Sequence, residues 1–140
     1  MNRMWIAAPL CFATAALAGP EQDAVSAAMA ELGKAKTALM QEYASRGKAF
    51  PATPQWTYHA SAAGVSDVSY NSKNPTSASL VATMTGTKNP AIDNRHLAFF
   101  AAAQPDGSMV WTCGTARSAL RTAPSEETTM YPYLPAECQH

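Results

Sequence analysis

The sequence predicts a single α+β domain, one long helix followed by an antiparallel sheet, and three observations carry that expectation. Apolar residues recur at steps of three and four between Pro20 and Arg46. From residue 79 onward the period changes to two, with turn residues between the runs. An irregular stretch then lies between two cysteines, Cys113 and Cys138. A helical run segregated from the strands is the pattern of a helix laid on one face of an antiparallel sheet.

The first eighteen residues stand apart. Arg3 gives a positive start, Met4 to Ala18 are apolar, and Ala16-Leu17-Ala18 places small residues where a leader peptidase reads. That combination describes a secretory signal, so residues 1–18 are expected to be a Sec-type signal peptide and 19–140 the exported domain. The stretch is short for a transmembrane helix, and no stable membrane span is expected once it is removed. Cys11 follows Leu10, where a lipoprotein would carry a small residue, and leaves with the signal.

From Pro20 to about Arg46, the residues Val25, Ala28, Leu32, Ala35, Leu39 and Tyr43 fall on one stripe. Glu21, Ser26, Glu31, Lys34, Thr37, Gln41 and Ser45 are expected largely off it. Pro20 suits a first helical position, while Glu21 and Asp23 suit the positive end of the dipole. Glu42 and Arg46 are spaced for an i,i+4 pair. Gly47, with Pro51 and Pro54 beyond it, stops the helix.

Residues 48–75 read as a long connection with a short strand at Val65 to Tyr70. Ser79 to Thr87 alternates Leu80, Ala82 and Met84 against Val81, Thr83 and Thr85, a strand pattern. Asn89-Pro90 marks a turn. His96 to Ala103 and Met109 to Thr112 flank Pro105-Asp106-Gly107-Ser108, which makes residues 96–112 a hairpin. A loop is expected after Cys113, with Pro124, Pro132 and Pro135 breaking any regular element.

With the signal gone, Cys113 and Cys138 remain, and an even pair in an exported chain reads as a disulfide. Chain-entropy arguments give such a bridge, closing about 25 residues, roughly 3–4 kcal/mol.

Composition narrows function. Ten basic residues against ten acidic, with only 14% charged, exclude the clustered positive surface of a nucleic-acid binder. Hydrophobic residues at 47% exclude general disorder. No nucleophile elbow, phosphate-binding loop or paired His or Cys ligand spacing is present. His59, His96 and His140 lie far apart in the chain, and Glu126-Glu127 reads as a solvated loop tip. Trp56, Tyr58, Trp111, Tyr131 and Tyr133 are read as core and loop packing, though they could stack on sugars or bases. A non-enzymatic protein without cofactor or metal is expected.

Two segments carry a resemblance. Ala24-Val25-Ser26-Ala27-Ala28 through Ala35-Lys36-Thr37-Ala38-Leu39, then Glu42-Tyr43, Gly47 and Phe50-Pro51, is similar to the second half of the long helix of type IV pilins. Gly107-Ser108-Met109-Val110-Trp111-Thr112-Cys113, followed by Tyr133-Leu134-Pro135-Ala136-Glu137-Cys138, resembles the pilin pattern of a last strand and a cysteine near the terminus. The resemblance implies a helix packed on a four-stranded antiparallel sheet, closed by a loop bounded by Cys113 and Cys138. In that family the loop is exposed and contacts receptors or neighbouring subunits. Glu126, Glu127, Tyr131 and Tyr133 are therefore the candidate binding loop.

Pilins also carry a short basic leader, a Gly-Phe cleavage point and some twenty further apolar residues, whose place is taken here by the signal ending at Ala18. The expectation is an exported, pilus-associated pilin-like protein in the periplasm or at the cell surface. It would act in adhesion or pilus assembly through pilus subunits, assembly components or a surface receptor. The alternatives are an ordinary pilus subunit held by an uncleaved N-terminus, and a secreted carbohydrate-binding or enzymatic module on the same scaffold.

Overall fold

The computed structural model describes residues 19–140. The signal assigned to residues 1–18 lies outside the described residues. Helix α1 spans Pro20–Ser45 and is followed by β1 (Val65–Asn74), β2 (Ser77–Met84), β3 (His96–Ala103) and β4 (Met109–Ala116). The strands form one antiparallel sheet in the order β1-β2-β3-β4.

α1 begins and ends where local chemistry requires. Gly19 is its N-cap, Pro20 occupies the first turn, and the N–H of Asp23 donates to the carbonyl of Gly19 at 2.8 Å. At the far end Gly47 takes φ 73°, a left-handed conformation that glycine reaches without steric cost. Lys48 N–H then closes on the carbonyl of Tyr43 at 2.9 Å. Arg46 and Glu42 form the expected pair at 2.6 Å. Val25, Ala28, Leu32, Ala35 and Leu39 are buried, against Leu80, Ala82, Met84 and Leu97 of the sheet. α1 lies over β1 to β3, mostly over β2, and reaches β4 through Met29 and Lys36, while Met109, Trp111 and Cys113 of β4 are partly buried against the core.

Several sequence expectations need correction. Glu31, expected away from the stripe, is only 1% exposed. Its carboxylate turns toward the chain at Ser61 rather than to solvent. β1 is longer than the short strand expected, reaching Asn74 instead of Tyr70. Its polar second half pairs because the buried groups find partners: Ser72 N–H donates to Thr53 Oγ1 at 2.7 Å, and Asn71 Nδ2 donates to Ser79 Oγ at 3.3 Å. β2 begins at Ser77 and stops at Met84, before the expected Thr87. There Asp93 accepts the Thr87 N–H, the Thr87 hydroxyl and the Lys88 N–H, which folds Thr87 and Lys88 into a turn.

β4 continues past Cys113 to Ala116 instead of ending at Thr112. Gly114 permits it, because a Cβ there would lie 3.3 Å from both His140 and Pro124. The Thr115 N–H donates to the carbonyl of His140 at 2.9 Å, so the C-terminal residues line the end of this strand.

The prolines of the tail do not exclude regular structure. Thr128–Tyr133 and Ala136–Cys138 are short 3-10 helices, the first with Pro132 inside and the second just after Pro135. Elements this short need few N–H donors, so proline is tolerated where a longer helix would break.

The face of the sheet turned away from α1 is not simply wet. Val81, Ala98, Phe100 and Ala116 form a second buried cluster there. Residues 117–124 cross this face: Ser79 Oγ donates to the carbonyl of Arg121 at 2.6 Å, and Asn71 Nδ2 to that of Ala119 at 2.7 Å. The sheet is thus packed on both sides, by a helix on one and by a returning chain on the other.

Candidate functional site

The segment between the cysteines is the candidate site, and its course is set by four attachments. The Cys113–Cys138 disulfide joins β4 to the second 3-10 helix, with the Cα atoms 4.5 Å apart. Both sulfurs touch the side chain of Met29 on α1, whose Sδ lies 4.0 Å from Cys113 Sγ and 3.9 Å from Cys138 Sγ. The chain then crosses the outer sheet face to Asn71 and Ser79, as described above.

It returns at Ser125, whose N–H donates to the Thr115 carbonyl at 2.9 Å, while Thr115 Oγ1 accepts the Glu127 N–H at 2.8 Å. Finally Met130 and Leu134 insert into the main core. Asn89 Nδ2 bridges the Tyr133 hydroxyl, at 3.3 Å, and Glu21 Oε2 on the first turn of α1, at 3.0 Å.

The four candidate residues occupy different settings along this path. Glu126 is exposed at a turn with φ 54°. Glu127, expected to share the loop tip, is half-buried, with its carboxylate 3.9 Å from Arg117. Tyr131 is half-buried, and its carbonyl accepts Gln139 Nε2 at 3.1 Å. Tyr133 is held by Asn89. The structure therefore presents them along one ordered segment, each with its own support. Sequence reasoning missed Asn89, Asn71 and Ser79, the side chains that hold this segment in place. Asn89 had a signal in the Asn-Pro turn, whereas Asn71 fell in the expected connection beyond Tyr70 and Ser79 looked like an ordinary polar strand residue.

The remaining chemistry-bearing side chains do not converge. Among the described residues no group of three or more His, Cys, Asp and Glu is placed to hold a metal. His96 Nδ1 lies 3.1 Å from Thr83 Oγ1, and burial, with a smaller contribution from Arg95, holds its imidazole below the usual range. Hydrogen bonds from Thr87 and the Lys88 N–H hold the Asp93 carboxyl below its usual range in a purely structural turn. Trp56 packs edge-on to Tyr70 at 5.1 Å and Trp111 edge-on to Phe99 at 6.5 Å, so these aromatics serve packing. Among the described residues no helix is long and apolar enough to cross a membrane.

Comparison with known proteins agrees with this architecture. A family model described as pilin, a bacterial filament protein, matches residues 24–139. The structure is similar to that of the Francisella tularensis pilin PilE, with a TM-score of 0.54 and 17% sequence identity over 85% of this chain and 92% of that one. At that identity the likeness is one of fold. No match was found among curated protein sequences.

Proposed function

The chain belongs to the pilin family, and from that premise we propose that it is an exported, pilus-associated protein that acts by binding through its outer surface. Its partners are pilus subunits, assembly components or a surface receptor, and its role is in adhesion or assembly. The observation that carries this reading is the disulfide-bounded segment. It is tied to β4 by Cys113–Cys138, to the outer sheet face by Asn71 and Ser79, and to α1 through Asn89. An ordered surface loses less conformational entropy on binding than a floppy loop of similar length. Glu126, with the half-exposed Glu127, Tyr131 and Tyr133, is what this surface offers a partner. The pattern of residues 1–18 supports export by a cleaved signal.

The reading is non-enzymatic, in keeping with a filament-protein family. The test is retention on sheared, purified pili. Glu126→Lys combined with Tyr131→Ala should reduce retention while the exported protein remains folded. Retention unaltered by these changes would remove the segment from the function. N-terminal sequencing of the exported protein should begin at Gly19; Met1 in purified fibres would instead support an ordinary subunit held by an uncleaved N-terminus.

A further inference from the structure

The two edges of the sheet are treated differently. Along β1, the chain at 53–58 covers the edge: Thr53 N–H donates to the Ser72 carbonyl, and Tyr58 forms a bridge with Val68. Along β4 the cover is partial. Thr115 exchanges its backbone bonds with His140 and Ser125, and both of its backbone groups therefore point away from β3. In an antiparallel ladder successive residues alternate in this direction. Met109, Trp111 and Cys113 must therefore also point their N–H and C=O outward. The β2–β3 pairing agrees: the Ala103 N–H donates toward β2, to Thr76, and Ala103 lies opposite Met109. The outward side of Cys113 is occupied by Cys138, whose Cα lies 4.5 Å away, and among the described residues the four outward groups of Met109 and Trp111 have no hydrogen-bond partner.

The bare stretch is also unprotected in composition. Met109-Val110-Trp111-Thr112 contains no charge and no proline, the usual means of blunting an edge, and Val110 is 47% exposed. Beside it an open groove of about 450 Å³ is lined by Met29, Lys36, Phe99, Trp111 and Glu137. Lys36 Nζ sits over the Trp111 ring, 5.0 Å from its centroid, and among the described residues no carboxylate pairs with it.

We propose that the Met109–Thr112 edge of β4 is a docking site for an extended segment of another polypeptide, which adds as a fifth strand and seats alternate side chains in this groove. The unpaired backbone row dictates an extended occupant, because only a strand presents N–H and C=O groups at the matching spacing. The groove dictates the side chains: apolar residues against Met29, Phe99 and Trp111, and a carboxylate opposite Lys36. The inference rests on the reading above only in taking the protein to act by binding, and it uses a different surface from the Glu126–Tyr133 segment.

The test uses the purified exported protein, labelled with nitrogen-15, and a blocked peptide Thr-Val-Thr-Glu-Thr-Phe-Thr whose Val, Glu and Phe share one face. In the free protein the amides of Met109 and Trp111 should exchange rapidly. Peptide should protect these two and leave Val110 and Thr112, already bonded to β3, little changed. Met109→Pro removes an outward donor without touching the β3 ladder and should weaken binding at least tenfold. Lys36→Glu, on a half-exposed helix position, should reverse the preference for the Glu peptide over its Lys counterpart, and does not depend on whether Met109→Pro folds.

Absence of binding at millimolar peptide, or binding that leaves the Met109 and Trp111 amides unprotected, would overturn the proposal. So would concentration-dependent protection of these amides without peptide, which would assign the edge to a second copy. Loss of pilus retention with intact peptide binding would count against the reading above and leave this one standing.

Discussion

The carboxylate of Glu31 on α1 accepts the backbone N–H of Ser61 at 3.0 Å, fastening the long connection to the helix thirty residues before it. Its second oxygen, Oε1, is buried without a hydrogen bond, and Lys34 Nζ stands 3.9 Å away at the surface. Burial, with Glu31 beside it, raises the Tyr58 phenol above its usual range. Replacing Glu31 by Ala should cost about 1–3 kcal/mol by orphaning the Ser61 donor. Limited proteolysis should then cut first within residues 52–63, and a cleavage pattern identical to the parent's would show the contact to be unimportant.

Leu32 is fully buried at the centre of the helix stripe. Leu32→Ala should destabilise by about 2–5 kcal/mol, measured by urea unfolding. Leu32→Asp should abolish folding, because the charge would face the sheet with no partner.

Reduction of Cys113–Cys138 should lower stability by about 3–4 kcal/mol, giving a melting temperature lower by roughly 10 °C or more. Cys113→Ser should melt at the same temperature with and without reductant. A parent protein indifferent to reductant would contradict the bridge.

The Tyr70 hydroxyl donates to the carbonyl of Pro51 at 2.6 Å, and burial pushes its phenol up to about 12. A folded pKa above the unfolded value of about 10 means that the neutral form is favoured by folding. The associated stability is intact below about pH 10 and lost as pH rises toward 12. Phenolate absorbance should show a component titrating near 12 that is absent in Tyr70→Phe, which should also lose about 1 kcal/mol at neutral pH.

Asn71→Ala should loosen residues 117–124 on the outer sheet face, since it removes the Ala119 contact and leaves only the Ser79 bond to the Arg121 carbonyl to hold them there. Faster amide exchange is expected across 117–124, with β3 unchanged.

What was legible in the sequence followed from repetition. The stripe from Val25 to Leu39 and the hairpin around Asp106 each repeat a local pattern, and both lie where that pattern puts them. The Cys113–Cys138 pairing was legible because only two cysteines lie beyond residue 18. Glu31 was misread because a carboxylate on a helix is ordinarily solvated, and only the distant Ser61 makes its burial tolerable. The extent of β1 and β4 depended on partners remote in the chain: Thr53 for Ser72, His140 for Thr115. For the candidate segment, the exposed position of Glu126 could be read locally, whereas the supports at Asn71, Ser79 and Asn89 are long-range and carry no periodic signature.

The 25-residue separation of Cys113 and Cys138 has a mechanical side. If the two termini of the folded chain are pulled apart, the tension passes from β4 through the sulfur bridge to the last residues. The intervening stretch, worth roughly 80 Å of contour when fully drawn out, cannot pay out. Whatever length residues 19–112 release under load, this stretch adds none until the covalent link itself is cut.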